Sequence, residues 1–145
     1  ASRTDNDMAK LLYKLYGKYN ICSGIKNNKW YHYDLNMKKW RLSDNGIELR
    51  IKLSNEIHNL YEKKAREHMK YIYNDEETIE SHYGHSYLKT CMNLKKPLYK
   101  AKIMKECKEV FYKKDFVKNN SELIEDLTEY YEHDPYGDIP IFTNK

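Results

Sequence analysis

The segment KNNKWYHYDLNMKKWRL, residues 26–42, indicates the fold class, because short runs rich in aromatic residues are separated in it by short polar connectors. That pattern is typical of an antiparallel β-meander. It extends back to YNICS, which completes a set of three short strands. The strands are predicted at residues 19–23, 29–34 and 38–42.

The two tryptophans of this segment are expected in the core. Burying a Trp side chain contributes roughly 2–3 kcal/mol by area, and a small sheet needs one face covered. Alternation along the second strand puts Trp30 on one face with His32. Tyr31 and Tyr33 then share the other face. We therefore expect Trp30 and Trp40 to be buried. The rings of Tyr31 and Tyr33 are expected to stay available for a partner.

Helical periodicity dominates the rest of the chain. Thr4-Asp5-Asn6-Asp7 resembles a capping box and predicts a first helix that ends at Gly17. Residues 43–46 cap a long second helix, whose apolar stripe has a 3.6-residue period. The members of that stripe are Leu49, Leu53, Ile57, Leu60, Tyr61, Ala65, Met69 and Ile72. Three further helices are predicted to begin near Thr78, at Pro97 and near Ser121.

Together these patterns predict an α+β fold: a mainly helical domain of about five helices with a small three-stranded antiparallel meander near the N-terminus. One domain is expected over residues 1–145. It divides into a helix plus meander (1–42), a helical body (43–118) and an acidic C-terminal helix and tail (119–145). The chain opens on Ala1 without an initiator Met, so we expect a fragment of a longer protein.

Charge is unevenly distributed, although the formal net charge is only +4. Residues 1–42 and 95–118 each carry +6, whereas residues 43–94 carry −2 and residues 119–145 carry −6. This pattern predicts either a polyanionic partner or contacts between the blocks themselves. Because A/T-rich coding also favours lysine, the positions of the lysines carry more weight than their number.

Sequence motifs of common enzymes are missing. The chain has no phosphate-binding G-x-x-x-x-G-K-[ST] loop, no G-x-S-x-G, no H-E-x-x-H and no paired C-x-x-C. Asp5 and Asp7 form a D-x-D pair of the kind that holds two metal ions in polymerases and primases. Their position at a helix start favours capping instead. We therefore predict no catalytic residue.

Metal binding is weakly indicated by His82 and His85, which lie three residues apart on the third predicted helix with Cys91 beyond them. No fourth ligand follows at the usual spacing, so we predict surface histidines and no metal site. The three isolated cysteines, Cys22, Cys91 and Cys107, are expected to be small buried hydrophobes in a reducing compartment.

Basic residues next to aromatic ones are the combination that single-strand binding proteins use, with bases on rings and phosphates on cations. Two groups are candidates, one in the meander and one on the fourth predicted helix. The predicted nucleic-acid-binding residues are Lys26, Lys29, Tyr31, Tyr33, Lys38, Lys39, Arg41, Lys100, Lys102, Lys105 and Lys108. A solvated helix face is an equally weighted interpretation of the lysines on the fourth helix.

Residues 19–57 and 100–116 resemble the accessory domain that precedes the superfamily 3 helicase in primase–helicases of poxvirus-type, nucleocytoplasmic large DNA viruses. Related segments occur in phage and plasmid primase–helicases. The resemblance lies in a strand that ends in a small or Cys residue, a W-Y-x-[FY] segment, a second tryptophan, an L…I helix start and a lysine-rich helix that ends in an aromatic. These features are Cys22, residues 30–33, Trp40, Leu49 with Ile51, and Ile103–Phe111. The resemblance covers roughly residues 5–116, and the chain departs from the family pattern in its last thirty residues.

The resemblance implies a non-catalytic replication module that links primase to helicase and contributes to ring assembly. Implied partners are single-stranded or forked DNA and, in the parent protein, further copies in a hexamer. No membrane partner is expected. No cofactor is implied for this chain, since ATP and Mg²⁺ would belong to the neighbouring helicase domain. The implied location is the host cytoplasm or a viral factory.

Two alternatives remain open from the residues alone. One is a protein-interaction or oligomerisation module without DNA binding, in which the acidic end of one copy meets a basic block of another. The other is a small metal-dependent nuclease or primase fragment that uses Asp5 and Asp7.

Overall fold

The structure, a computed structural model, describes residues 4–69 and 79–125, of which 79–83 are described by their backbone alone. This part of the chain is mainly helical with one three-stranded antiparallel sheet, which confirms the predicted α+β class. The elements in chain order are α1 (Asp5–Tyr16), β1 (Asn20–Gly24), β2 (Lys29–Asp34), β3 (Lys39–Ser43), α2 (Ile47–Lys52), a π-helical turn (Leu53–Ile57), α3 (His58–Met69), α4 (Ile79–Asn93), α5 (Pro97–Val110) and α6 (Phe116–Asn119). None of the described helices is long and apolar enough to cross a membrane.

Helix α1 begins as its capping box predicts. The Thr4 hydroxyl accepts a hydrogen bond from the Asp7 backbone N–H at 3.1 Å, and the Asp7 carboxylate accepts one from the Thr4 N–H at 3.4 Å. The reciprocal pair satisfies two N–H groups that a helix start leaves open. Met8 and Leu12 then bury one side of the helix against the core.

The meander has the strand order β1-β2-β3, and each strand lies within one residue of its predicted position. Each outer strand is bridged at one position by a later segment of the chain. A parallel bridge joins Cys22 in β1 to Tyr112, and another joins Trp40 in β3 to Ile124. Each bridge occupies backbone groups at one position of an edge strand, which interrupts the row of unpaired groups there.

The two faces of the meander contribute to two hydrophobic clusters, as the alternation along β2 predicts. Trp30 is 1% exposed and joins the main core with α1, α2 and α5. Its indole N–H donates to Asn28 Oδ1 at 2.8 Å, so the buried polar atom is satisfied. Gly46, at φ 70°, lies against this ring, and a Cβ there would come within 3.1 Å of it.

The second cluster lies on the opposite face and contains Ile21, Tyr31, Trp40 and Phe116. Phe116 sits in the short helix α6 and covers the sheet. Its ring centroid lies 5.0 Å from that of Trp40 and 5.5 Å from that of Tyr31. Both tryptophans are buried, which confirms their predicted place in the core.

The predicted long second helix is interrupted by a π-helical turn over Leu53–Ile57. Its buried residues repeat every fourth position: Leu49, Leu53, Ile57, Tyr61 and Ala65. In a regular α-helix a four-residue repeat drifts by about 40° per step. A wider π turn reverses part of that drift and keeps the stripe facing the core. The uniform 3.6-residue stripe that we predicted is therefore wrong for this helix, and Ile72 lies outside the described residues.

Helices α4 and α5 begin close to their predicted starts, with Pro97 as the first residue of α5. The predicted fifth helix does not begin at Ser121. A 3₁₀ turn occupies Ser121–Leu123, and Ile124 is extended because it pairs with β3. The rest of that predicted helix lies outside the described residues.

Candidate nucleic-acid interface

The tyrosines predicted to face a partner lie in the second cluster. Tyr31 is 4% exposed, so our prediction of an exposed Tyr31 ring is wrong. Phe116, which follows Tyr31 by eighty-five positions, covers this face and could not be paired with it by local pattern. Tyr33 is half-buried, and its ring packs on Trp40 at 5.2 Å and on Tyr19 at 6.1 Å.

Arg41 is engaged by two carboxylates of its own chain. Its Nη1 lies 3.1 Å from Asp34 Oδ2, and its Nε lies 3.1 Å from Glu125 Oε2. These contacts raise the pKa of the Arg41 guanidinium. The Asp34 pKa is lowered, first by the Met37 backbone N–H and further by Arg41. Because its charge is already balanced, we withdraw Arg41 from the candidate phosphate contacts.

A depression of about 320 Å³ lies beside this ion pair. Its lining includes the carboxylates of Asp34 and Glu48 together with Arg41. Two acids around one base make a poor anion site, so this depression does not strengthen the nucleic-acid interpretation.

The meander lysines separate into two groups at opposite ends of the sheet. Lys26 lies in the β1–β2 turn, whereas Lys38 lies in the β2–β3 turn. Strand β2 is six residues long, so at ~3.3 Å per residue the two turns are about 20 Å apart. The meander lysines therefore do not share the single basic patch that the sequence suggested.

Exposure sorts the predicted lysines into two sets. Those whose side chains are exposed are Lys26, Lys38, Lys39, Lys102 and Lys105, and the half-buried ones are Lys29, Lys100 and Lys108. Lys100 Nζ donates to the Ser54 hydroxyl at 2.9 Å, which ties it to the π-helical turn. Within the described residues, no salt bridge engages any of these eight lysines.

Two lysines that we did not include in the predicted site, Lys113 and Lys114, follow a backbone bridge to β1, the strand that leads to Lys26. The Lys113 backbone N–H donates to the Cys22 carbonyl at 3.1 Å, and Cys22 N–H donates to the Phe111 carbonyl at 3.2 Å. This parallel pairing carries Lys113 and Lys114 along the end of β1 that leads into the β1–β2 turn. The bridge joins residues ninety positions apart, so no sequence pattern reveals it.

We group the lysines of these two bridged segments under one name, the hairpin-end patch. Its members are Lys26, Lys29, Lys108, Lys113 and Lys114. The stretches 22–29 and 108–115 contain these five lysines and two carboxylates, so the surface is net positive. Tyr112, 41% exposed, offers an aromatic ring at its edge.

The acidic pair at the N-terminus has a structural role. Asp7 completes the α1 capping box, and Asp5 occupies the first turn, where a negative charge is favourable. This geometry gives no support to the nuclease interpretation, which needs the carboxylates turned toward a shared metal.

A cluster of metal-binding side chain types lies between α3 and α4. Cys91 Sγ is 3.2 Å from His58 Nε2, and His58 Nδ1 is 3.8 Å from Glu62 Oε2. Sequence reasoning considered only His82 and His85 as partners for Cys91 and predicted no metal site. His85 is exposed, and the side chain of His82 lies outside the described residues. An H-x-x-x-E spacing on the buried stripe of α3 is the signal that could have found His58 and Glu62.

The three cysteines are free and buried, which confirms their expected core positions. Burial raises the pKa of the Cys22 thiol, and it raises that of Cys107 to about 12. Burial, with the Glu62 charge adding to it, raises the pKa of Cys91. A raised pKa disfavours the thiolate, so none of the three has the character of an activated nucleophile.

The residues that carry the family resemblance are largely core residues. Trp30 and Leu49 lie in the main cluster, and Trp40 lies in the second one. The resemblance thus concerns residues that build the fold, and the DNA contacts that it implies stay a prediction. In comparisons with protein-family models and with curated proteins, nothing matches the chain.

Proposed function

We propose that this chain is a non-catalytic nucleic-acid-binding module, and that its setting is a primase–helicase of the poxvirus type. Within that setting it links primase to helicase, contributes to ring assembly and contacts single-stranded or forked DNA. The observation that carries the DNA contact is the backbone bridge between Cys22 and Tyr112, which pairs the two segments that contain the lysines of the hairpin-end patch. The replication setting is supported by the resemblance in residues 19–57 and 100–116.

The chemistry of the patch favours a phosphate backbone as its ligand. Lysine ammonium groups act as point charges that meet phosphates without reading base identity. Lys26, Lys113 and Lys114 are exposed and have no ion-pair partner among the described residues. Lysines that neutralise phosphates release the counterions condensed on the nucleic acid, so this binding is salt-dependent and sequence-independent.

Single strands and forks suit this surface better than an intact duplex groove. The exposed members of the patch, Lys26, Lys113 and Lys114, lie in the β1–β2 turn and in the segment after α5, and neither offers a helix that could enter the major groove. Lys108 lies in the last turn of α5 and is half-buried. The exposed Tyr112 ring beside the lysines provides a platform on which an unstacked base can lie. Tyr112 thus takes the role that the sequence suggested for Tyr31.

The test is fluorescence anisotropy with labelled single-stranded, forked and duplex DNA. The full 145-residue chain is compared with a Lys26→Ala/Lys113→Ala/Lys114→Ala variant. The matched control, Lys63→Ala/Lys89→Ala/Lys96→Ala, removes the same charge from exposed positions outside the patch. If each patch lysine meets one phosphate, the patch variant loses about a hundredfold in affinity for single strands near 0.1 M salt. Equal losses in the two variants would refute the assignment of the patch.

Protein association is the second candidate function, and one contact favours it. Glu125, near the start of the acidic end, forms an ion pair with Arg41. The remaining acidic residues of 119–145 offer the same chemistry to basic blocks of a neighbouring copy. Light scattering of the full chain and of a chain ending at residue 125 tests this. A lower oligomeric mass after truncation supports association through the acidic end, and an unchanged mass opposes it.

A further inference from the structure

Three side chains of metal-ligand type converge between α3 and α4, away from the hairpin-end patch. His58 and Glu62 lie one helical turn apart on α3, and Cys91 comes from the facing side of α4. One ligand atom of each lies within 4.8 Å of the others. His58 is 9% exposed and Cys91 5%, so two of the three ligand groups are withdrawn from water.

The distances approach those of a bound transition metal. Zinc bonds of about 2.3 Å to sulfur and 2.0–2.1 Å to nitrogen at a tetrahedral angle set the two donor atoms about 3.5 Å apart. Cys91 Sγ and His58 Nε2 are 3.2 Å apart, so a small side-chain adjustment opens the required space. The Glu62 carboxylate lies 3.8 Å from the other ring nitrogen, Nδ1. Because one ligand atom of each of the three residues lies within 4.8 Å of the others, a carboxylate oxygen is within reach of a third coordination position.

We propose that His58, Glu62 and Cys91 bind one divalent transition-metal ion of the zinc class, with water at the fourth position. Binding forms the metal–sulfur bond, and the thiol proton of Cys91 is released to solvent. One thiolate and one carboxylate then balance the two charges of the ion. Thiolate, imidazole and carboxylate are all ligands that zinc accepts.

A nucleophilic triad of the same three residues fits less well. A catalytic cysteine needs access for a substrate and a stabilised thiolate. The Cys91 side chain has almost no access, and burial disfavours its thiolate. A metal ion supplies the missing stabilisation directly, because a coordinated thiol is deprotonated.

The ion would act as a clamp between two helices. His58 and Cys91 lie thirty-three residues apart in the chain, so coordination closes a long loop. Gly84 already allows close packing of the two helices, since a Cβ there would lie 2.9 Å from Met69 Cγ. Metal that binds the folded chain and not the unfolded one adds its binding free energy to stability.

Cobalt(II) titration of the reduced full chain tests the site, since Co²⁺ replaces zinc and reports its ligands by absorption. We expect a thiolate-to-cobalt charge-transfer band, one proton released per ion, and a melting temperature that rises with added Zn²⁺. Cys91→Ser should abolish the band, whereas Cys22→Ser should retain it. Glu62→Gln should weaken binding by about tenfold or more, and Glu67→Gln, an exposed carboxylate on the same helix, should not.

Results of two kinds, on the absorption band and on the affinity, would overturn the proposal. One is the absence of a charge-transfer band in the wild type, or its persistence in Cys91→Ser. The other is an equal affinity for Co²⁺ in the Glu62→Gln and Glu67→Gln variants. Because Glu62 is partly exposed, its variant is expected to fold and keeps the test decisive if Cys91→Ser does not.

Discussion

Substitution of Tyr31 tests whether its side of the meander belongs to the core or binds a partner. Its position beside Trp30 and among lysines suggests a ring that stacks on a base, but the structure buries it. We predict that Tyr31→Ala destabilises the fold and leaves the affinity for single-stranded DNA almost unchanged in protein that remains folded.

The size of the effect follows from the contacts of the ring. Tyr31 is 4% exposed and packs on Phe116 at a centroid distance of 5.5 Å with an interplanar angle of 47°. Truncating a buried aromatic side chain to alanine costs about 3–5 kcal/mol, through lost burial and the cavity that remains. The specific interaction of the tilted Tyr31–Phe116 ring pair accounts for about 0.5–1.5 kcal/mol of this cost, in addition to the part that comes from buried area.

Urea unfolding followed by tryptophan fluorescence measures this change, because Trp40 belongs to the same cluster. Tyr31→Phe is the matched control, since it keeps the ring and removes only a hydroxyl with no hydrogen bond to the described residues. It should change the free energy of unfolding by less than about 0.5 kcal/mol. A double-mutant cycle with Phe116→Ala should return the coupling energy of the ring pair.

Three outcomes would refute this reasoning. The first is a loss below about 1 kcal/mol for Tyr31→Ala, which would mean an exposed ring. The second is a coupling with Phe116 near zero. The third is a stable Tyr31→Ala protein that has lost its DNA affinity, which would return Tyr31 to the binding surface.

Three further predictions concern other parts of the structure. Gly84→Ala should lower the free energy of unfolding, measured in urea, by about 1–3 kcal/mol, because the new Cβ would lie 2.9 Å from Met69 Cγ. This loss is expected despite a gain of about 1 kcal/mol in helix propensity. A stabilised variant would contradict this close packing. Since the folded pKa of Asp34 is lowered, its contribution to stability is present above the ordinary value of 3.8 and is lost as pH falls through the lowered pKa. Asp34→Asn should therefore flatten the acid limb of stability against pH, and an unchanged limb would exclude this role. The pKa of Cys107 is about 12 against an ordinary 9, so the native protein should have about a thousandfold less Cys107 thiolate at neutral pH. Alkylation of Cys107, mapped by mass spectrometry, should therefore be far slower in the native state than in urea. Equal rates would mean that the thiol is accessible.

Local patterns predicted most of the elements because local physics sets them. The Thr4–Asp7 capping box, Pro97 at a helix start and the alternation around Trp30 each depend on residues a few positions apart. The fold class and both buried tryptophans followed from these signals. The π-helical turn did not, because the four-residue repeat that demands it resembles a regular helical stripe.

Contacts between distant segments account for the failures at the candidate site. Tyr31 is buried by Phe116, Arg41 is neutralised by Glu125, and Lys113 is brought to the β1–β2 turn by backbone pairing with Cys22. Each contact joins residues more than eighty positions apart. Composition located the basic blocks, but only the fold decides which lysines share a surface.

The most direct test of the central claim is the salt dependence of single-strand binding by the full chain. The logarithm of the association constant falls linearly with the logarithm of salt concentration, with a slope of about −0.7 for each phosphate contact. We predict that Lys26→Ala/Lys113→Ala/Lys114→Ala reduces the magnitude of that slope by about 2, whereas Lys63→Ala/Lys89→Ala/Lys96→Ala leaves it unchanged. A wild-type chain without salt-dependent binding, or a slope that changes equally in both variants, would contradict it.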